Sequence, residues 1–242
     1  MKNDQQIAIT LIEALPYIQQ FTGQIMVIKY GGSLMVPKAL RESFARDIVL
    51  LRYVGIKPVI VHGGGKEITK WMKKLGKDAV FIDGQRFTDG ETMELTEMVL
   101  SGKVNNEIVS LLNQYCGKAV SLSGKSANLF TAKKIRSKKD QDLGFVGSIQ
   151  SVNTKLIHTL CDDGYIPVIS SIASDGNGGS LNLNADNVAS AVARYLVSKK
   201  LIYLTDVDGV MIDGKLVPEM TMENSKKYMK HKDIQGGMLP KL

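Results

Sequence analysis

The segment Pro58-Val59-Ile60-Val61-His62-Gly63-Gly64-Gly65 constrains the fold more than any other. A proline and a glycine cluster bound an apolar run that reads as a buried strand. Past Gly65, Ile68, Trp71, Met72 and Leu75 recur at helical spacing. The glycines therefore sit between the carboxyl end of a strand and the amino end of a helix. Such a junction can be a plain tight turn. It also presents free backbone N–H groups and the positive end of a helix dipole, which favour anions. Glycines carry no Cβ, so a ligand could approach this backbone closely.

The same arrangement recurs. Ile25-Met26-Val27-Ile28 reads as a strand that ends in Lys29 and runs into Gly31-Gly32-Ser33. A lysine at such a tip either is solvated or meets a phosphate as a point charge. A helix over Leu40–Tyr53 follows, with Phe44, Ile48 and Leu51 on one face, and Gly55 ends it. Strand, helix, strand, helix predicts an α/β fold with parallel strands and right-handed crossovers. Ligands in such sheets collect at the carboxyl ends of the strands, where both glycine turns lie. A third small-residue turn, Ser123-Gly124-Lys125, follows a strand over Ala119–Leu122.

Between these landmarks lie further elements. Asp83–Gly90 is a polar loop whose one fork-shaped cation, Arg86, suits a carboxylate. Helices are expected over Glu91–Ser101 and, after Gly102–Asn106, up to about Tyr115. Residues 127–150 read as a hairpin with short strands Leu129-Phe130-Thr131 and Gly147-Ser148-Ile149. The intervening Lys133, Lys134, Arg136, Lys138 and Lys139 are expected at a solvated tip. A helix over Lys155–Asp162 and a strand over Ile166–Ile169 come next. Leu181-Asn182-Leu183-Asn184-Ala185-Asp186 then opens a helix, with Asp186 in its first turn. Leu201–Leu204 is an apolar strand running into Thr205-Asp206-Val207-Asp208-Gly209, whose aspartates either bind Mg²⁺ or shape the turn. At the N-terminus, Ile7, Leu11, Ile12, Leu15 and Ile18 line one face of an amphipathic helix over residues 4–20. Pro16 is expected to bend or end it locally. Its apolar face packs either on its own domain or on a neighbouring subunit.

Composition narrows the partners. The 242 residues allow one large or two small domains. A net charge of +7 suits anionic ligands, and 6% aromatics with no nucleic-acid module places nucleic acid behind small anions. Cys116 and Cys161 lie far apart, which argues against a disulfide framework and for a reducing cytoplasm. The three histidines show no metal-ligand spacing. No apolar run approaches ~20 residues, so no membrane span is expected. The N-terminus shows no signal-peptide pattern.

Seven stretches combine into a resemblance: IKYGGS (28–33), VIVHGGG (59–65), DGQRFTD (83–89), LSGKVNNEIV (100–109), LNLNAD (181–186), LTDVDGV (204–210) and GGMLPK (236–241). Together they resemble the amino acid kinase family, and within it the members that phosphorylate N-acetyl-L-glutamate in arginine biosynthesis. The resemblance implies a three-layer α/β sandwich, an open and mostly parallel sheet between helices. It implies an oligomerisation helix over 1–22, an N-acetylglutamate-binding lobe over 23–175 and an ATP-binding lobe over 176–242. Residue by residue it implies Lys29 and Lys241 on the transferring phosphoryl group, with Asp186 organising both. Gly64 and Gly65 would donate N–H groups to the acceptor and the phosphate. Arg86 and Asn182, with Asn184 nearby, would hold the acceptor's α-carboxylate. Gly31, Gly32, Thr205, Asp206 and Gly209 would serve the nucleotide. The donor would be ATP carrying Mg²⁺. LIEALPYIQQFTG (11–23) is similar to the helix that interlaces dimers into hexamers, so a homo-oligomer is implied, and a PII-type regulator is a further partner of such enzymes.

The match departs at two places. Ser126 and Ala127 stand where the family has an acidic residue and a glycine, so Lys125 is given no role. Members of the family run on for several tens of residues past GGM-x-PK, so an incomplete ATP lobe without arginine feedback is expected. A kinase for another acidic acceptor, such as carrier-bound aminoadipate, and a non-catalytic regulatory subunit are the alternative readings.

Overall fold

A computed structural model describes residues 2–31, 38–205, 207–234 and 236–241. Gly32 and Asp206 lie outside these described residues. Five strands form the central sheet: β1 (Ile25–Tyr30), β2 (Lys57–His62), β5 (Ala119–Ser123), β8 (Ile166–Ser170) and β11 (Lys200–Leu204). Their order is β11-β1-β2-β8-β5, and every neighbouring pair is parallel. Parallel strands are buried on both faces, so they read as continuous apolar runs. β2 shows this: Val59, Ile60 and Val61 are fully buried.

Two core clusters flank the sheet, and strand alternation sorts residues between them. Ile28, Tyr30 and Ile60 face one layer, built from α2 (Lys38–Tyr53), α3 (Gly65–Lys74), α4 (Gly90–Glu97) and α5 (Asn105–Gln114). Val27, Val59 and Val61 face the other, built with α6 (Thr154–Asp162) and α7 (Ala185–Tyr195). The parallel α/β fold is therefore the one the strand–helix alternation predicts, and its three layers are those the family resemblance implies.

The two helices expected around Gly102 are one continuous helical run. Between α4 and α5 the chain makes a π-helical segment, Met98–Val104. Gly102 does not break it, because Leu100, Val104 and Ile108 are buried in one cluster and hold the run together. π segments of this kind concentrate at functional sites. This one presses on the glycine turn: a Cβ on Gly64 would stand 2.6 Å from Leu100 Cδ2 and 3.3 Å from Val104 Cγ2.

The expected short hairpin is longer and belongs to a second sheet. β6 (Phe130–Arg136) and β7 (Asp142–Val152) pair antiparallel. With β9 (Ile172–Ser174) and β10 (Ser180–Leu183) they close a four-stranded ring. Lys133, Lys134 and Arg136 are exposed positions of β6 itself, while Lys138 and Lys139 occupy the tip. No break in the sheets falls at 175/176, since β10 pairs with β7 and β9. Two short hairpins, β3 (Phe81–Ile82) with β4 (Gln85–Arg86) and β12 (Val210–Ile212) with β13 (Lys215–Val217), carry the Arg86 loop and the chain beyond β11. α8 (Met222–Tyr228) and a 3-10 turn over Gly236–Lys241 complete the order.

α1 (Lys2–Phe21) passes straight through Pro16. Proline costs one ladder bond, and the chain nonetheless stays helical to Phe21. The helix does not bury its apolar face on its own domain: Ile7, Leu11, Ile12 and Leu15 are 52%, 64%, 69% and 48% exposed.

The Arg86 loop is clipped to the ring by one bridge, Thr88 to Gly144, with Phe145 N donating to Thr88 O. Gly144 has φ +72, and a Cβ there would lie 2.1 Å from that same carbonyl oxygen. Gly144→Ala should therefore cost about 2–4 kcal/mol, left-handed strain plus forced displacement of backbone. Urea unfolding of the purified variant measures this.

Candidate active site

The carboxyl ends of β1 and β2 and the amino end of α7 meet at one cleft. Its wall includes Lys29, Gly63, Gly64, Gly65, Arg86, Asn182, Asn184 and Asp186, around a cavity of about 250 Å³. That volume is enough for a small acid. The strand–glycine–helix junction thus lines the cleft: Gly64 caps α3, whose first turn leaves backbone N–H groups without partners in the helix.

Asp186 is the centre of the charge arrangement. Asn184 N-caps α7 by accepting hydrogen bonds from Asp186 N (2.9 Å) and Asn187 N (3.1 Å). This cap fixes the first turn and aims the Asp186 carboxylate across the sheet ends. The residue is 7% exposed. Lys29 Nζ lies 2.8 Å from Asp186 Oδ1, and Lys241 Nζ lies 3.1 Å from Oδ2. Lys241 also donates to Gly237 O at 2.6 Å, which holds it within its own short turn. One carboxylate thus fixes two ammonium groups that arrive from opposite ends of the chain.

Tyr203, which sequence reasoning missed, stands beside Lys29 in the β1–β11 register. Its hydroxyl donates to Asp186 O (3.3 Å) and shares a 2.8 Å bond with Ser190 Oγ. Burial holds this phenol above its ordinary range.

Arg86 is buried and tied to the glycine turn. Nη2 donates to Gly65 O (2.9 Å) and to Thr69 Oγ1 (2.7 Å), Nη1 meets Met72 Sδ at 3.2 Å, and the guanidinium stacks over Phe81 at 4.8 Å. Among the described contacts, three of its five N–H donors are used. Asn182 donates to Thr88 Oγ1 at 3.2 Å, and Thr88 in turn donates to Arg86 O at 2.8 Å. Thr88 is a fully buried link between the two expected acceptor contacts. Its only sequence signal is its place inside the DGQRFTD stretch.

Of the expected nucleotide positions, Gly31, Thr205 and Gly209 fall within the described residues. Gly31 follows β1, and a Cβ there would meet Leu204 O at 2.9 Å and Lys29 Nζ at 3.7 Å. The parallel register sets it next to Thr205 at the end of β11. Gly209, with φ +151, turns the chain into β12. Of the three, only Gly31 has a described approach to Lys29, and none lines the cleft.

The comparisons with known proteins fit this geometry. Residues 24–242 match the model of the amino acid kinase family. The chain belongs to the amino acid kinase family. Acetylglutamate kinase from Nostoc sp. PCC 7120 is 48% identical over 236 residues, covering 96% of this chain and 78% of that one. Acetylglutamate kinase from Desulforamulus reducens is likewise 48% identical, covering 96% and 82%. Among solved structures, N-acetylglutamate synthase from Neisseria gonorrhoeae, complexed with coenzyme A and N-acetyl-glutamate, superposes with a TM-score of 0.83 at 25% identity. That match covers 96% of this chain and about half, 53%, of the synthase. Among the described residues of this amino acid kinase, no helix is long and apolar enough to cross a membrane.

His62, at the β2 tip of this kinase, is fully buried and donates from Nδ1 to Gly63 O at 2.9 Å. Burial pushes its pKa down from 6.5 to about 4. The folded imidazole stays neutral where the unfolded one gains a proton, so stability is full above pH 6.5 and is lost as pH falls towards 4. The loss should reach about 3 kcal/mol. Asp89 is held down at about 2 by the Lys77 ammonium, so its stabilising contribution disappears in a separate window, below about pH 4. Unfolding free energy measured against pH should show both windows, and His62→Leu should flatten only the upper one.

Proposed function

We propose that this chain transfers the γ-phosphoryl group of ATP to the side-chain carboxylate of N-acetyl-L-glutamate, forming N-acetylglutamyl 5-phosphate. The observation that carries the reading is the triad Lys29–Asp186–Lys241, whose Lys29 and Asp186 line a glycine-rich cleft with Arg86 and Asn182. The 48% identity to two acetylglutamate kinases over nearly all of the chain supports the choice of acceptor.

The chemistry needs no general base, because a carboxylate acceptor is already ionised at neutral pH. The obstacle is electrostatic: one anion must approach another while charge spreads over the transferring group. Preorganised donors are therefore the main catalytic resource. Lys29 and Lys241 supply positive charge at that point, and Asp186 fixes their positions before either ligand binds. Gly64 and Gly65 contribute backbone N–H groups, while Arg86 and Asn182 hold the acceptor's α-carboxylate away from the reacting end. Gly31, Thr205 and Gly209 serve the nucleotide. The donor brings Mg²⁺, which neutralises phosphate charge when bound. Asp186 is already committed to two lysines, so we assign it no metal.

In this account α1 meets a second copy of the chain, since its apolar stripe is exposed. The protein is then a homo-oligomer. Two free thiols, Cys116 and Cys161, suit a reducing compartment such as the cytoplasm.

Hydroxylamine trapping of the acyl phosphate tests the activity: hydroxamate should accumulate with N-acetyl-L-glutamate and ATP, and its absence would end the proposal. Lys29→Ala should lower kcat by about 10²–10³ with KM for the acceptor little changed, by analogy with removal of an oxyanion-stabilising donor. Deleting residues 2–20 should reduce the sedimenting mass, as sedimentation velocity would show.

A further inference from the structure

Lys125 was left without a role by the sequence, because its loop departs from the family pattern. In the structure it closes a three-membered polar link. Lys125 Nζ donates to Glu97 Oε1 at 3.1 Å and to Ser180 Oγ at 3.0 Å, and the Ser180 hydroxyl donates to Glu97 Oε2. The hydroxyl therefore gives one bond to the carboxylate and takes one from the ammonium, and the charges of the other two residues offset each other.

The three residues come from three segments around the acceptor cleft. Glu97 ends α4 where the π segment begins, three residues before Leu100, which lines the cleft and abuts Gly64. Lys125 lies in the loop after β5. Ser180 opens β10 and shares a face with Asn182, because strand side chains alternate. Upstream, the Asp175 carboxylate accepts from Asn177 N (2.8 Å) and Gly179 N (2.9 Å), which delivers the chain to Ser180 in a fixed turn.

We propose that Glu97, Lys125 and Ser180 form a positioning link that sets β10, and with it Asn182, against the π segment, so tuning affinity for the acceptor. The inference rests on reading Asn182 as a contact to N-acetyl-L-glutamate. None of the three residues touches the Lys29–Asp186–Lys241 group among the described contacts. Their effect should therefore fall on a part of the acceptor remote from phosphoryl transfer, which appears in KM rather than kcat.

The experiment compares Ser180→Val with Ser180→Thr in steady-state kinetics with N-acetyl-L-glutamate and ATP. Valine and threonine have the same shape, and both suit a strand. They differ in the hydroxyl alone. Ser180→Val should raise KM for N-acetyl-L-glutamate about tenfold, the worth of one charge-assisted hydrogen bond. Its kcat and its KM for ATP should stay within about twofold, while its thermal midpoint should fall below that of Ser180→Thr, which keeps the hydroxyl. Ser180→Thr should keep the wild-type KM. Lys125→Met should repeat the valine pattern. Equal KM values for the two Ser180 variants, or a loss carried by kcat, would overturn the link while leaving the proposed activity intact. Absence of acyl phosphate from the wild-type protein would overturn both.

Discussion

One carboxylate shared by two ammonium groups is the interaction on which the rest of this structure depends. Two lysines within reach of the same phosphate repel each other, by ~1 kcal/mol at 4 Å even in bulk water and by more near a protein surface. Asp186 makes that arrangement tolerable, with Lys29 at 2.8 Å and Lys241 at 3.1 Å. Much of the fold serves to bring these three groups together. The parallel β1–β11 pairing delivers Lys29 and its neighbour Tyr203, the Asn184 cap delivers Asp186, and the last turn of the chain delivers Lys241. Because the pair is partly buried, its geometry is set before any ligand arrives, which is what electrostatic preorganisation requires.

A second constraint is steric. The π segment packs so tightly behind the glycine turn after β2, with Leu100 and Val104 against Gly64, that a Cβ has no room there. The same segment follows directly on Glu97, whose carboxylate accepts from Ser180. The acceptor cleft is thus bounded by packing on one side and by polar links on the other. Thr88 couples Asn182 to the Arg86 loop, and Gly144 lets that loop sit against the ring. A change in any of these places would reach the cleft through a short chain of contacts.

Much of this was legible in the residues, for physical reasons that differ from case to case. Buried parallel strands must be continuously apolar, so β1, β2, β8 and β11 announce themselves. Glycines at their ends mark turns by conformation alone, and Lys29, Asp186 and Arg86 stand out as charges beside such turns. What escaped notice was decided by tertiary packing. Gly102 reads as a helix break, yet buried neighbours carry the chain through it as a π segment. The Lys133–Lys139 run reads as a loop tip, yet half of it is strand, because the ring of β6, β7, β9 and β10 supplies the missing partners. Pro16 reads as a local bend or end of the helix, and it does not end it. Thr88, Tyr203 and Ser180 carry no periodic or charge signal, and they matter only through partners distant in sequence.

The account stands on Asp186 acting through the lysines it holds rather than on the substrate directly. A double-mutant cycle in kcat tests this most directly, with Asp186→Asn, Lys29→Met and their combination assayed against N-acetyl-L-glutamate and ATP. If the carboxylate works by placing Lys29, the combined variant should be about as slow as the slower single variant. Losses that multiply would show that Asp186 and Lys29 act independently, and would contradict the account.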